Sequence, residues 1–222
     1  MTYSTREVRK GLLSILHEHL QKYEWSPPLS EKMIFKGKIE APFKIELDIE
    51  TFRNNNSVMV SPSFRIKWDR VQQAHKEMNA WEGREGEPSP LLIARGFSHL
   101  STDSIPLNDE HAWENRESYS NIYADTEEEI LLAADKILLL YERYGKKFMR
   151  TWSNLESAAN EFIHNERIWP SWYIIGGFLL TDELHGREAA CHWISEQRQI
   201  VSNTYWIKQI EFFQETQCVP AV

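Results

Sequence analysis

Cysteine is nearly absent from this chain: Cys191 and Cys218 are the only two among 222 residues. Two cysteines without Cys-x-x-Cys spacing make neither a disulfide framework nor a thiolate zinc site, so a reducing compartment is expected and Cys191 reads as a small core residue. Basic side chains are also in short supply, 25 against 33 acidic, for a formal charge of −8. A nucleic-acid backbone is neutralised by clustered Lys and Arg, so a large phosphate-binding surface is excluded. No stretch approaches the roughly 20 apolar residues of a membrane span. Residues 2–10 are polar and the apolar stretch Gly11–Leu16 stops at His17, Glu18 and His19, so no secretory start is expected and the cytoplasm is the expected location. Fixed-period repeats and low-complexity segments are missing too.

What is present is material for a core. Apolar residues make up 41% of the chain, with nine Trp, eight Tyr and ten Phe, which argues against disorder. The acidity is uneven: residues 1–110 carry 15 basic and 16 acidic side chains, and residues 111–222 carry 10 and 17.

The pattern predicts an α+β fold, with an N-terminal helix and antiparallel β-meander followed by a C-terminal array of short α-helices. Ser4 and Glu7 form a capping box before Val8, Leu12, Leu16 and Leu20 at helical spacing. Phe43, Ile45, Leu47 and Ile49 then alternate with Lys44, Glu46, Asp48 and Glu50, the period of a strand with one apolar and one solvated face. Met33–Ile39, joined through Glu40-Ala41-Pro42, and Ser57–Trp68, joined through Arg53-Asn54-Asn55-Asn56, flank it. Pro62 donates to no ladder, which predicts an edge strand or a bulge there.

Asp69–Trp81 reads as a helix, Glu82–Pro90 as a boundary loop, and Leu91–Phe97 and Ser118–Tyr123 as further strands. Asp125 or Thr126 caps a helix whose apolar face is Ile130, Leu131, Ala134, Ile137, Leu138 and Tyr141. Ser153 and Glu156 suggest a second capping box. Helices near 170–185, 187–199 and 203–215 follow. The chain is expected to be a single domain over 1–222, with a division into 1–123 (helix plus sheet) and 124–222 (helical) as the alternative.

Several groupings could carry chemistry. His185, Glu188 and His192 lie near one helical face, as convergent zinc ligands would, but Gly186 predicts a break across them. Glu46, Asp48 and Glu50 could serve acid–base catalysis, although alternating carboxylates are what a half-solvated sheet shows. Gly176-Gly177 lacks the Gly-Lys-Ser/Thr ending of a phosphate loop, and its apolar setting predicts close helix packing. Neither cysteine nor any serine sits in a nucleophile signature. No cofactor or metal is implied.

The segment Asn56-Ser57-Val58-Met59-Val60-Ser61-Pro62-Ser63-Phe64-Arg65-Ile66, with Ser153-Asn154-Leu155-Glu156 and Gly186-Arg187-Glu188-Ala189-Ala190, resembles small bacterial cytoplasmic domains of unknown or toxin-immunity function. The resemblance implies a non-enzymatic protein, encoded beside a toxin, that binds and blocks it, and transfers no functional residue. An acidic surface would suit a basic toxin domain. The expected partner-binding surface is Asp125, Glu127, Glu128, Glu129, Asp182 and Glu183. An enzyme assembled from scattered His and carboxylate residues, or a homo-oligomeric structural protein, are the alternatives.

Overall fold

The computed structural model describes residues 3–23, 25–26, 28, 33–37, 42–96, 100, 122–165 and 169–219. The fold is α+β: an N-terminal helix, an antiparallel sheet, then helices. The chain forms two compact units, each assembled from separated stretches. Unit 1 is Met1–Ile39, Lys44–Ile66 and Ala94–Arg150; unit 2 is Glu40–Phe43, Lys67–Ile93 and Thr151–Val222.

Helix α1 (Thr5–Gln21) opens unit 1 with the expected capping box. Ser4 donates its backbone N–H to Glu7 Oε2 at 2.7 Å, and Ser4 Oγ accepts from Glu7 N at 3.3 Å. Its buried residues Val8, Leu12, Leu16 and Leu20 recur every four positions and form one stripe. The sheet comprises β1 (Trp25–Ser26), β2 (Ile34–Gly37), β3 (Lys44–Asn54), β4 (Ser57–Lys67), β5 (Leu91–Gly96) and β6 (Ile122–Tyr123). Strand order is β1-β2-β3-β4-β5, and β6 pairs antiparallel with β4 through Met59↔Tyr123 and Val60↔Ile122. Between β3 and β4 the chain reverses over two residues, with Asn55 at φ +57, a conformation Asn tolerates. Of the expected elements, Lys38–Ile39, the Glu40-Ala41 connection, Phe97 and residues 118–121 lie outside the described residues.

Two expectations about the sheet are corrected. β4 is an interior strand, bordered by β3 on one side and by β5 and β6 on the other, so Pro62 does not mark an edge. The β6 partners stop at Val60, short of the missing donor. The carboxylate face of β3 is not solvated either: Glu46 is 9% and Asp48 5% exposed. Arg65, projecting from β4, lies 2.7 Å from Asp48 and 2.6 Å from Glu50 and supplies the countercharge that burial requires.

Helix α3 (Glu127–Leu140) continues through a π-helical turn at Tyr141–Gly145 into α4 (Lys146–Trp152). Tyr141 is buried and accepts the Trp25 indole N–H at 2.9 Å, and burial raises its phenol pKa above the ordinary value. The inward face of α3 is Ile130, Ala133, Ala134, Ile137 and Leu140. Leu131, expected in the core, points outward at 52% exposure. A helix apolar on more than one side does not say which side it buries.

Unit 2 is built around α6 (Tyr173–His185), whose residues Tyr173 to Thr181 are all buried. Helices α2 (Asp69–Trp81), α5 (Leu155–His164), α7 (Arg187–Ile200) and α8 (Thr204–Thr216) pack on it. The cap of α5 is Asn154, which accepts from Ser157 N at 2.9 Å, rather than the expected Ser153. The prediction for Gly176-Gly177 holds. A Cβ on Gly176 would lie 2.5 Å from the Phe162 ring, and one on Gly177 would lie 2.3 Å from the Trp193 indole. The N-terminus of α6 has no side-chain cap of its own. Buried Gln209 of α8 takes that role, accepting from Ile175 N at 3.1 Å and donating to Ser171 O at 2.7 Å.

The cysteines depart most from expectation. Cys191 and Cys218 are joined in a disulfide, with Cα atoms 5.5 Å apart. The reading of Cys191 as a reduced core residue is therefore overturned, and the expectation of a reducing compartment loses its support. Cys191 lies in the second turn of α7 and Cys218 just past the end of α8. The reversal between these two helices joins residues 27 positions apart, with no signature in local spacing.

Candidate functional site

The six expected surface residues fall in two groups. In unit 1, Thr126 is the N-cap of α3 and accepts from Glu129 N at 3.3 Å. Asp125 accepts from Val58 N at 2.8 Å and donates its own N–H to Glu129 Oε2 at 2.7 Å. Asp125 and Glu129 therefore fasten the start of α3 to β4. Glu127 and Glu128 stay exposed in the first turn, where their charge also suits the positive end of the helix dipole.

In unit 2, Asp182 and Glu183 are brought together by the Arg70 guanidinium, which bonds both carboxylates. Arg187 adds bonds to Asp182 at 3.0 and 3.2 Å. Burial by itself would raise the Asp182 pKa. The hydrogen bonds from Arg187 and Arg70 outweigh it and hold the carboxyl below the ordinary value. This pair tethers α2 and α7 to α6, so much of its charge is already answered within the fold.

Sequence reasoning missed the residues beside Glu128. The outward side of α3 carries Glu128, Leu131, Leu132, Asp135 and Leu139, and the three leucines are 52%, 61% and 50% exposed. Single exposed leucines are ordinary on a protein surface, but three along one helical face, interleaved with two carboxylates, form a patch. The available signal was the excess of apolar residues in Glu127–Leu140: one buried stripe accounts for Ile130, Ala133, Ala134, Ile137 and Leu140 and leaves four leucines over, of which Leu138 is half-buried and the other three are exposed. Lys136 is half-buried on the flank of that face, and burial lowers its ammonium pKa.

The other chemical groupings are dispersed. Gly186, at φ +86, ends α6 directly after His185, so Glu188 and His192 belong to a different helix. His192 instead faces Glu196 at 3.4 Å, one turn along α7. His185 and His164 both line an open groove of about 420 Å³ between α5 and α6, with Glu156, Asn160 and Thr181. Among the described residues, no three His, Cys, Asp or Glu side chains are placed to hold a metal ion. Nor is any helix there long and apolar enough to cross a membrane. His75 of α2 lies edge-on to Trp172 with a ring-centroid distance of 5.9 Å, and its buried Nε2 has no hydrogen-bond partner. Burial lowers its imidazole pKa from the ordinary value.

Comparison with known proteins returned no match to any family model, curated protein or solved structure.

Proposed function

We propose that this chain is a non-enzymatic protein-binding domain, an immunity-type inhibitor that neutralises a cognate bacterial toxin by direct binding. The observation that carries the reading is the outward face of α3. Leu131, Leu132 and Leu139 sit in solvent there, where they add nothing to the core of unit 1. Burying such side chains against a partner is favourable, and each leucine fully covered is worth about 1.5–3 kcal/mol. Glu127, Glu128 and Asp135 lie beside them and outnumber Lys136 on the flank, and negative charge speeds encounter with a basic surface and helps fix its orientation.

The reading includes the cytoplasm as the place of action, where thiols are kept reduced. Trapping the thiols in intact cells by alkylation tests it: the cytoplasm requires Cys191 and Cys218 as free thiols, and the bonded pair that the structure shows, if found in native cells, would remove the cytoplasm from the reading. The function itself is tested by co-expression with the gene product encoded alongside. Survival of cells that the neighbouring product alone would kill, together with co-purification of the two chains, is the expected result. Death of the cells despite expression of the folded chain refutes the immunity reading.

A further inference from the structure

We infer that the outward face of α3 receives one helix of the partner, amphipathic and basic, with apolar side chains along its centre and Lys or Arg opposite Glu128 and Asp135; this rests on the protein-binding reading above. Glu128, Leu132, Asp135 and Leu139 follow one another at intervals of four, three and four residues. That alternation keeps side chains on a seam with an average period of 3.5, the spacing at which one helix packs along another. Leu131 widens the seam on one side. The opposite seam of the same helix, from Ile130 to Leu140, is already buried inside unit 1. α3 thus carries exposed leucines on the side away from its buried seam, whereas a surface helix needs one apolar face.

Charge selects the occupant. A second copy laid parallel on the same face would bring Glu128 and Asp135 against their own equivalents, which like charge disfavours; laid antiparallel in register it would set Glu128 opposite Leu139 and Asp135 opposite Leu132, burying carboxylates against leucine. The chain's own residues 101–121 carry Asp103, Asp109, Glu110, Glu114 and Glu117 against Arg116, the same sign as α3. A helix bearing Lys or Arg beside its apolar residues satisfies both the leucines and the carboxylates. The mode is that of an amphipathic helix laid on an apolar strip, read at i, i+3, i+4 and i+7.

The test uses the full chain and two synthetic helical peptides of about 21 residues, three heptads long. Both have leucine at the seam positions; one is flanked by Lys and the other by Glu. Fluorescence anisotropy is expected to show the Leu/Lys peptide binding at least tenfold tighter than the Leu/Glu peptide. The double change Leu132→Gln and Leu139→Gln should weaken the Leu/Lys peptide by about 10- to 100-fold, given leucines that are half exposed beforehand. Asp135→Lys should reverse the preference between the peptides. Both substitutions lie on the solvent side, and an unchanged circular dichroism spectrum certifies the fold. Equal binding of the two peptides, or full affinity in the double variant, overturns the inference. So does self-association of the wild type that the double variant abolishes. Protection by the wild type and equally by the double variant would retain the immunity reading and remove this face from it. Peptide discrimination without protection would retain the face and remove the immunity reading.

Discussion

Replacing Gly177 by alanine sets two effects of opposite sign against each other, and the distances decide between them. In the interior of a helix, alanine is favoured over glycine by about 0.8–1.0 kcal/mol, because glycine loses more backbone freedom on folding. Gly177 lies in the middle of α6 and on that ground alone the variant gains stability. The added Cβ, however, would stand 2.3 Å from Trp193 Cη2 and 2.7 Å from Cζ2. Carbon atoms rest at about 3.5–4.0 Å, so the indole must retreat by roughly 1 Å or more. Trp193 is buried with its ring 5.8 Å from that of Tyr173, which leaves little room for retreat. Overpacking of this kind costs typically about 1–3 kcal/mol, and the short distance places Gly177 near the upper end. The expected net result is a loss of about 1–2 kcal/mol, read as a lower urea midpoint with an unchanged m-value. In a Trp193→Leu background the obstacle is removed, and the same Gly177→Ala change is expected to be neutral or stabilising. A Gly177→Ala variant that is more stable than the wild type would refute the packing argument outright.

Two other predictions concern unit 2. Cross-linking positions 191 and 218 closes a loop of about 27 residues, so reduction, or the Cys191→Ser and Cys218→Ser pair, should cost about 3–4 kcal/mol in denaturant unfolding; a loss below about 1 kcal/mol would show that the bond constrains little. His75 has a native pKa held down by burial, so below about pH 6.5 the unfolded chain takes up a proton that the native chain refuses. Its contribution to stability is present above that pH and is lost as pH falls through the native-state value. His75→Gln should therefore flatten the dependence of the urea midpoint on pH below about 6.5, and superimposable slopes for the two proteins would sink the idea.

Local chemistry made much of the fold legible. Ser4 and Glu7 in the capping box and Asn55 in the tight turn lie where neighbouring residues dictate them, because caps and turns depend on atoms a few positions away. The failures have a different range. Glu46 and Asp48 alternate with apolar residues as a solvated face would, and the countercharge that Arg65 brings to Asp48 comes from the adjacent strand, out of reach of any local pattern. The Cys191–Cys218 bond depends on how α7 reverses into α8. For the candidate site, the sequence pointed correctly to the start of α3 as acidic and exposed at Glu127 and Glu128. It could not separate Asp125 and Glu129, which the fold uses for fastening, from their neighbours. Which stripe of α3 faces outward is fixed by its packing inside unit 1, and the helical period alone does not distinguish Leu131, Leu132 and Leu139 from the leucines it buries.

Gln209 links folding to the timing of synthesis. Its side chain completes the first turn of α6 from 34 positions further along the chain. At about 5–20 residues per second on the ribosome, that separation amounts to a few seconds. Throughout this interval α6, buried on all sides in the finished protein from Tyr173 to Thr181, has neither its cap nor the α8 helix that helps to cover it. During that window the apolar surface of α6 is open to aggregation or to capture by a chaperone. A variant that weakens the Gln209 contacts would leave α6 uncapped after synthesis is complete, so such a change would reduce the yield of folded protein in cells beyond what its equilibrium stability accounts for.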